Sequence, residues 1–249
     1  MKEYNKIQTI FKRDERNVII PGDFTLPEFS TLKDLKWDCT EKVDGANMSV
    51  HITPKPYIVG NGILDSEVKY EYDVEYHGKT ADSKIPSHLL KKMQELFPKD
   101  KLIEYFTRDG KVIVEPIILY GEGYGMKIQK GGNYIKDDCN FILFDVRVGN
   151  WWLERPALEE IAANLGIQIV TDMGKKTIKE ACEFVLNGFK STVAKSNPDY
   201  LAEGLVLKAP HGILLRNGKR LMTKIKYKDF QDYMRRYPDR DLKSIIENI

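Results

Sequence analysis

The sequence predicts an α+β fold with largely antiparallel sheets flanked by helices. Strand-like and helix-like segments follow one another irregularly, without the strict strand–helix alternation of a doubly wound parallel sheet. No internal repeat, low-complexity tract or Gly/Ser-rich linker interrupts the 249 residues. A chain of this length buries one large core or two small ones, and its continuity predicts a single domain over residues 1–249.

Strand signals dominate the first half of the chain. Residues 37–52 predict a strand, a tight turn at Asp44-Gly45 and a second strand in which polar and apolar residues alternate. A further hairpin is predicted around Asn61-Gly62. The segments 112–125 and 141–148 are strand-like and nearly all apolar at their centres, so we expect them to be buried.

Helix signals begin near the middle of the chain. Pro86 is expected to open a helix that runs to Phe97 with its apolar residues on one face. Helical spacing recurs in three further segments, which are 155–166 with Gly166 at its end, 177–189 with Gly188 near its end, and the tail from Asp229, broken at Pro238.

Composition narrows the function classes. The 39 basic and 37 acidic residues give a formal net charge of +2, so only the distribution of charge can indicate a partner. Three scattered cysteines, Cys39, Cys139 and Cys182, fit a reducing compartment better than a disulfide framework. No apolar stretch is long enough to cross a bilayer and the N-terminus has no signal-peptide core, so we expect a cytoplasmic protein without a membrane partner.

A lysine beside a tight turn marks the most informative segment, Glu41-Lys42-Val43-Asp44-Gly45. Alone, Lys-x-Asp-Gly is a weak signal, because it arises by chance in on the order of one chain in twenty and an exposed hairpin turn explains it. Four more segments follow in a fixed order that ordinary strands and turns do not explain: Tyr120-Gly121-Glu122, Phe141 to Asp145, Glu203 to Lys208, and Lys224-Ile225-Lys226.

This ordered set resembles the covalent nucleotidyltransferase superfamily of ATP-dependent DNA ligases, RNA ligases and mRNA-capping guanylyltransferases, over about residues 41–227. Asn47 and the run from Gly78 to Asp82 resemble the phage-type RNA ligases that seal nicks in duplex RNA. Lys79 departs from that pattern, because the family usually has Arg there, and a lysine meets a phosphate as a point charge rather than a bidentate fork. The resemblance implies a nucleotidyltransferase domain with an ATP-grasp-like fold.

The resemblance also implies a three-step reaction. Lys42 attacks the α-phosphate of ATP to form a lysyl-adenylate, AMP passes to the 5′-phosphate of a strand, and a 3′-hydroxyl then displaces AMP. Lys224 and Lys226 neutralise charge on the α-phosphate and, as cations, favour deprotonated Lys42; their i, i+2 spacing puts both on one strand face. Glu203 orients Mg²⁺, with Mn²⁺ as the alternative metal.

Further contacts follow from the same resemblance. Glu122 accepts hydrogen bonds from the ribose hydroxyls, and Phe144, or Phe141 if the strand register differs, stacks on the adenine. Glu41 or its backbone contacts the adenine edge. Lys208 contacts a phosphate if a bulge turns it to the catalytic side of its strand, since faces alternate along a strand. The residues expected to bind nucleic acid are Asn47 and Lys79.

RNA with 5′-phosphate and 3′-hydroxyl ends is the expected partner. Residues 216–240 hold nine Lys or Arg and three Asp, although a solvated amphipathic helix explains the part beyond Asp229 equally well. Only 23 residues follow Lys226, too few for the OB-fold domain of DNA ligases and capping enzymes, which favours a minimal RNA ligase, monomeric by default, in a bacterial or phage-infected cytoplasm. The alternatives are a small DNA ligase that works with a helper and a nucleic-acid end-binding protein without catalysis.

Overall fold

The computed structural model describes residues 4–60, 66–80, 82–129 and 134–249. Within them, the chain divides into two compact units. The first unit comprises Tyr4 and Asp44–Ile169, and the second comprises Asn5–Val43 and Val170–Ile249.

The elements are numbered along the chain. The strands are β1 (Gln8–Thr9), β2 (Phe11–Arg13), β3 (Ile19–Phe24), β4 (Trp37–Lys42), β5 (Ala46–Val59), β6 (Glu67–His77), β7 (Ile117–Gly125), β8 (Cys139–Val148), β9 (Trp151–Trp152), β10 (Gln168–Ile169), β11 (Asp172–Lys176), β12 (Gly204–Lys208) and β13 (Met222–Lys226). The helices are α1 (Pro27–Thr31), α2 (Ser87–Leu96), α3 (Lys99–Thr107), α4 (Arg155–Leu165), α5 (Ile178–Leu186), α6 (Tyr227–Arg236) and α7 (Leu242–Glu247).

The first unit is a sheet with helices on one face. Its strands lie in the order β10-β8-β7-β5-β6, with β9 paired to β8. All neighbours are antiparallel except β10 and β8. Helices α2 and α4 pack on β8, and α3 packs on α4 and β6. Because side chains alternate along a strand, the face toward the helices is apolar, and its buried residues include Met48, Val50, Leu119, Phe141 and Leu143.

The second unit is built around a sheet in the order β1-β13-β12-β4-β11. Its three central strands are antiparallel, and β2 and β3 form a separate ribbon. Helix α5 packs on β11, β12 and β13, while α6 and α7 pack on α5. A capping box between Thr177 and Glu180 starts α5. The covered face contributes a core that includes Trp37, Cys39, Leu205, Leu207 and Ile225.

These elements confirm the predicted α+β class with antiparallel sheets and helices. The helix predicted from Pro86 is α2, with Leu89 and Met93 buried on its apolar face. Helix α4 ends at Gly166, which has a left-handed backbone (φ 65°), as the sequence predicts. The C-terminal helix is broken near Pro238, between α6 and α7. No helix among the described residues has the length and apolar character needed to cross a membrane.

One predicted hairpin is wrong. The strands on either side of Asp44-Gly45 are β4 and β5, but β4 pairs with β11 and β12 whereas β5 pairs with β6 and β7. The Asp-Gly signal marks the interruption between two strands, with a bend at Gly45, but not the partners of those strands. The second predicted hairpin pairs β5 with β6. Its predicted turn at Asn61-Gly62 lies outside the described residues.

Candidate active site

Two lysines lie on either side of a glycine where three central strands of the second unit's sheet end or begin. Lys42, the last residue of β4, lies opposite Gly204, the first residue of β12. Gly204 in turn lies opposite Lys226, the last residue of β13. Because opposed residues of neighbouring strands project to the same side of a sheet, the Lys42 and Lys226 side chains share a face.

The Glu203 carboxylate joins these two lysines. Glu203 Oε2 accepts a hydrogen bond from Lys42 Nζ, and Oε1 lies 2.6 Å from Lys226 Nζ. The Glu203 side chain is 14% exposed, and those of Lys42 and Lys226 are 20% and 31% exposed. Two ammonium groups and one carboxylate therefore form a partly desolvated cluster with an excess of positive charge, which suits a phosphate ligand.

Gly204 explains how Glu203 reaches this face although it precedes the strand. Its φ of 149° falls where only glycine is comfortable, and a Cβ there would collide with the Ile225 carbonyl oxygen. From Gly204 onward the strand alternates regularly, so Lys208 projects to the same side as Gly204, opposite Asp38. The irregularity needed to bring Glu203 and Lys208 to one side of the sheet is thus located at Gly204.

Lys224 lies on the same face, two residues before Lys226 and opposite Val206. The structure therefore gathers Lys42, Lys208, Lys224 and Lys226 on one side of three adjacent strands, around Glu203.

Glu41 points the other way. It is only 1% exposed, and its carboxylate accepts hydrogen bonds from the Ser191 hydroxyl and from both the backbone N–H (2.9 Å) and the hydroxyl (2.6 Å) of Thr192. The Glu41 carboxylate is therefore hydrogen-bonded inside the protein. Of the two predicted ways for Glu41 to contact adenine, the one through its backbone is the one that we retain.

In the first unit, Asn47 and Glu122 lie on the sheet face opposite the helices. Asn47 of β5 is directly opposite Glu122 of β7. Both are half-buried, whereas their neighbour Met48 is buried in the core. The register therefore places Glu122, which is predicted to bind the ribose, beside Asn47, which is predicted to bind nucleic acid.

Phe144 lies on the same face, one residue after the buried Leu143 and at a β-bulge. In β8, Asp145 pairs with Tyr120 and Leu143 pairs with Gly121, so Phe144 is the extra residue between them. Its ring lies edge-on to Tyr4, with centroids 4.9 Å apart. Phe141 is fully buried against Phe97 and is therefore unsuitable for stacking on a ligand.

Close approach also explains the glycine before Glu122. A Cβ on Gly121 would collide with the Phe141 ring. Lys79 lies beyond the end of β6 in an exposed segment that is closed by a hydrogen bond from Thr80 N–H to Ser83 Oγ (3.0 Å).

Comparison with known sequences identifies the family. A sequence model of the RNA ligase family matches residues 35–227, more than three quarters of the chain. The chain belongs to the RNA ligase family. The match begins just before β4 and ends at the first residue of α6, so it includes every site residue that the sequence predicts. The comparison with curated proteins yields no match.

Solved RNA ligase structures have a similar fold. A Naegleria gruberi RNA ligase variant with ATP and Mn superposes with a TM-score of 0.57 at 16% sequence identity, covering 95% of this chain and 58% of the other. The same ligase with PPi gives 0.54 at 18% identity, covering 96% and 59%. A further variant with AMP and Mn gives 0.55 at 16% identity, with the same coverage as the PPi structure. This RNA ligase family member thus spans less than two thirds of the length of the Naegleria protein.

The side chains of this family member suit a metal ion that keeps most of its bound water molecules. The described residues contain no group of three His, Cys, Asp or Glu side chains that could enclose a metal. Glu203 is instead a single carboxylate beside a cationic surface. Mg²⁺ suits such a site, because it keeps several waters and binds through one or two carboxylates and the phosphates of a substrate.

Sequence reasoning missed several residues that shape these surfaces. Ser191 and Thr192 hold Glu41, and the Tyr134 hydroxyl accepts a hydrogen bond from the Asp44 N–H (3.0 Å). Tyr4 donates to the buried Asp145 carboxylate and packs on Phe144. These hydrogen bonds join residues that are far apart in the sequence. No local sequence pattern therefore predicts them.

Proposed function

We propose that the protein is an ATP-dependent RNA ligase that joins 3′-hydroxyl and 5′-phosphate ends through a lysyl-adenylate and an adenylylated 5′ end. The observation that carries the proposal is the sharing of Glu203 by Lys42 and Lys226, within a member of the RNA ligase family. The family match, over residues 35–227, includes parts of both compact units, and we propose that residues 1–249 form one nucleotidyltransferase domain.

In the first step, Lys42 Nζ loses its proton and attacks the α-phosphorus of ATP. The new N–P bond forms as the P–O bond to the β-phosphate breaks, and pyrophosphate leaves with the electron pair. Lys224 and Lys226 stabilise negative charge on the α-phosphate oxygens as the transition state develops. Lys208, on the same face, is assigned to a phosphate of the nucleotide.

The second and third steps transfer AMP and seal the strand. A 5′-phosphate oxygen attacks the lysyl-adenylate phosphorus, forming a P–O–P bond and returning the electron pair to Lys42 Nζ. The 3′-hydroxyl then attacks the activated 5′-phosphorus, forms the phosphodiester and releases AMP. We assign Asn47 and Lys79 to the RNA strands, with Lys79 acting as a point charge.

Recognition of the ribose and adenine of ATP is assigned to three residues. Glu122 binds the ribose hydroxyls, Phe144 stacks on the adenine, and the Glu41 backbone contacts the adenine edge. Glu203 would hold Mg²⁺ or Mn²⁺, which would supply positive charge near the α-phosphate. The Naegleria ligase structures with ATP and Mn support this choice of nucleotide and metal.

The deciding experiment uses ATP labelled at the α-phosphate. With Mg²⁺, the wild-type protein should become covalently labelled, and Lys42→Ala should take no label. Lys36→Ala is the matched control, because Lys36 is an exposed lysine of the same unit that pairs with Glu180. Equal labelling of Lys42→Ala and wild type would contradict the proposal.

Substrate specificity is tested by transferring the label. Chasing the adduct onto nicked duplex RNA, nicked duplex DNA and single strands should give the fastest sealing with RNA. Faster sealing of DNA would identify a small DNA ligase instead. RNA binding without any adduct from ATP, GTP or NAD would identify an end-binding protein.

A further inference from the structure

A buried carboxylate lies immediately behind the proposed nucleophile. Glu41 precedes Lys42 in β4 and projects to the opposite face of the sheet, where it is 1% exposed. Three groups donate to its carboxylate: Ser191 Oγ, Thr192 N and Thr192 Oγ1, the last two at 2.9 and 2.6 Å. We call Glu41, Ser191 and Thr192 together the Glu41 clamp.

The Glu41 carboxylate needs all of its donors, because a buried carboxylate without hydrogen bonds is costly. A buried carboxylate without donors loses several kcal/mol of hydration, on the order of the effective penalty for a buried ion. Hydrogen bonds to an ionised carboxylate are among the strong ones, and three of them define both its place and that of its donors. The Glu41 N–H also donates to Thr171 O (3.0 Å), and the Thr171 and Thr192 hydroxyls are 2.6 Å apart.

The clamp's donors belong to the segment that leads into Glu203. Between α5 and β12, the Ser191 N–H donates to Tyr200 O (2.8 Å) and the Ala202 N–H donates to Phe189 O (2.9 Å). These bonds close the segment into a narrow loop that ends one residue before Glu203. The clamp therefore ties the residue before Lys42 to the loop that ends before Glu203.

We propose that the Glu41 clamp is a positioning device that sets the place of the Glu203 carboxylate relative to Lys42 Nζ. Glu41, Ser191 and Thr192 act as positioning residues, on the face of the sheet away from the lysine cluster. This inference rests on the proposed function of Lys42 as the nucleophile. It assigns the Glu41 side chain to placement of the reacting groups, distinct from the nucleotide contact assigned to its backbone.

A positioning role has a specific kinetic signature. A misplacement of about 1 Å at a reacting group costs on the order of a hundredfold in rate, whereas binding of the remote parts of a substrate is unaffected. Loss of a clamp bond should therefore lower the rate of lysyl-adenylate formation at saturating ATP and leave the KM for ATP unchanged. Loss of an adenine contact would instead raise KM.

The test compares two substitutions of one side chain. Thr192→Val keeps the shape and removes the hydroxyl, while Thr192→Ser keeps the hydroxyl. Thr31→Val is the matched control, because Thr31 is an exposed threonine of the same unit whose hydroxyl donates to Pro27 O within α1. Melting temperatures and amide hydrogen exchange at residues 202–204 are measured for each variant beside the labelling rate.

We expect Thr192→Val to slow adenylylation about tenfold, the effect of losing one hydrogen bond to a charged group, with KM unchanged. Exchange at residues 202–204 should rise, Thr192→Ser should restore both readouts, and Thr31→Val should resemble wild type. An increase in KM at an unchanged rate, or wild-type behaviour of Thr192→Val, would overturn the clamp. A wild-type protein that takes no label would overturn the proposed function instead, and unchanged exchange in Thr192→Val would then still overturn the clamp.

Discussion

Lys42 and Lys226 lie at matching positions on either side of Gly204, and both bind the carboxylate of Glu203. One carboxylate thus holds two cations on the same sheet face. Removing the Glu203 charge leaves two ammonium groups close together in a partly desolvated site. Their mutual repulsion is then no longer balanced by this carboxylate.

The first prediction concerns that shared charge. Glu203→Gln should lower lysyl-adenylate formation by about a hundredfold or more, because the amide neither balances the two lysines nor holds a metal ion. Asp23→Asn is the control, since Asp23 forms an exposed ion pair with Lys12 in the same unit. Labelling rates at saturating ATP measure the effect, and a Glu203→Gln rate equal to that of Asp23→Asn would refute it.

The second prediction concerns Gly204. Gly204→Ala adds a Cβ that meets the Ile225 carbonyl, in a backbone conformation that alanine rarely adopts, so both stability and labelling should fall. Gly174 also has a positive φ (76°), but a Cβ there has open space around it. Gly174→Ala should therefore cost only about 1–2 kcal/mol of unfolding free energy from backbone strain. Denaturant unfolding measures the unfolding free energy of the two variants. Equal losses of unfolding free energy would contradict the prediction, because they would show that the collision at Gly204 adds no cost.

The third prediction separates two phenylalanines of β8. Phe141→Ala should cost about 3–5 kcal/mol of unfolding free energy, because Phe141 is fully buried in the first unit's core. Phe144→Ala should cost less stability but raise the KM for ATP about threefold to tenfold, through the loss of stacking. Unfolding and labelling experiments on both variants distinguish them. A KM increase confined to Phe141→Ala would reverse the assignment.

The two phenylalanines also mark how far sequence reasoning extends. The ordered motifs identify Lys42, Glu203 and Lys226 because the chemistry demands those residue types, and the structure brings these three together. Phe141 and Phe144 are three residues apart in β8, so they project to opposite faces of the sheet. The face that buries Phe141 is set by packing across the fold, and periodicity within this nearly all-apolar strand does not contain that information.

Long-range pairing explains the remaining differences. The sequence predicts the interruption between two strands at Asp44-Gly45 but not that β4 and β5 belong to separate sheets, because strand partners are set by burial across the whole fold. The donors to Glu41 lie 150 and 151 residues away along the chain. A buried carboxylate that finds its donors at such separations is invisible to local patterns.

The last prediction concerns acid stability and His51. Burial, followed by the charge of the neighbouring His77, lowers the pKa of His51 from 6.5 to about 4. The folded state therefore excludes a proton that the unfolded state binds. Stability is fully present above pH 6.5 and falls as the pH drops toward 4, by as much as about 1.4 kcal/mol per pH unit from this group.

Two histidine variants isolate this contribution. The groups around His51 are the Ser49 hydroxyl, 3.0 Å from Nε2, the His77 ring, 4.5 Å away between centroids, and Glu75, its cross-strand partner in β6. His51→Gln should flatten the decline of unfolding free energy between pH 6.5 and 4.5 relative to wild type. His211→Gln, at an exposed position, should leave the slope unchanged. Denaturant midpoints across this range provide the measurement, and parallel pH profiles for wild type and His51→Gln would show that His51 does not contribute to acid sensitivity.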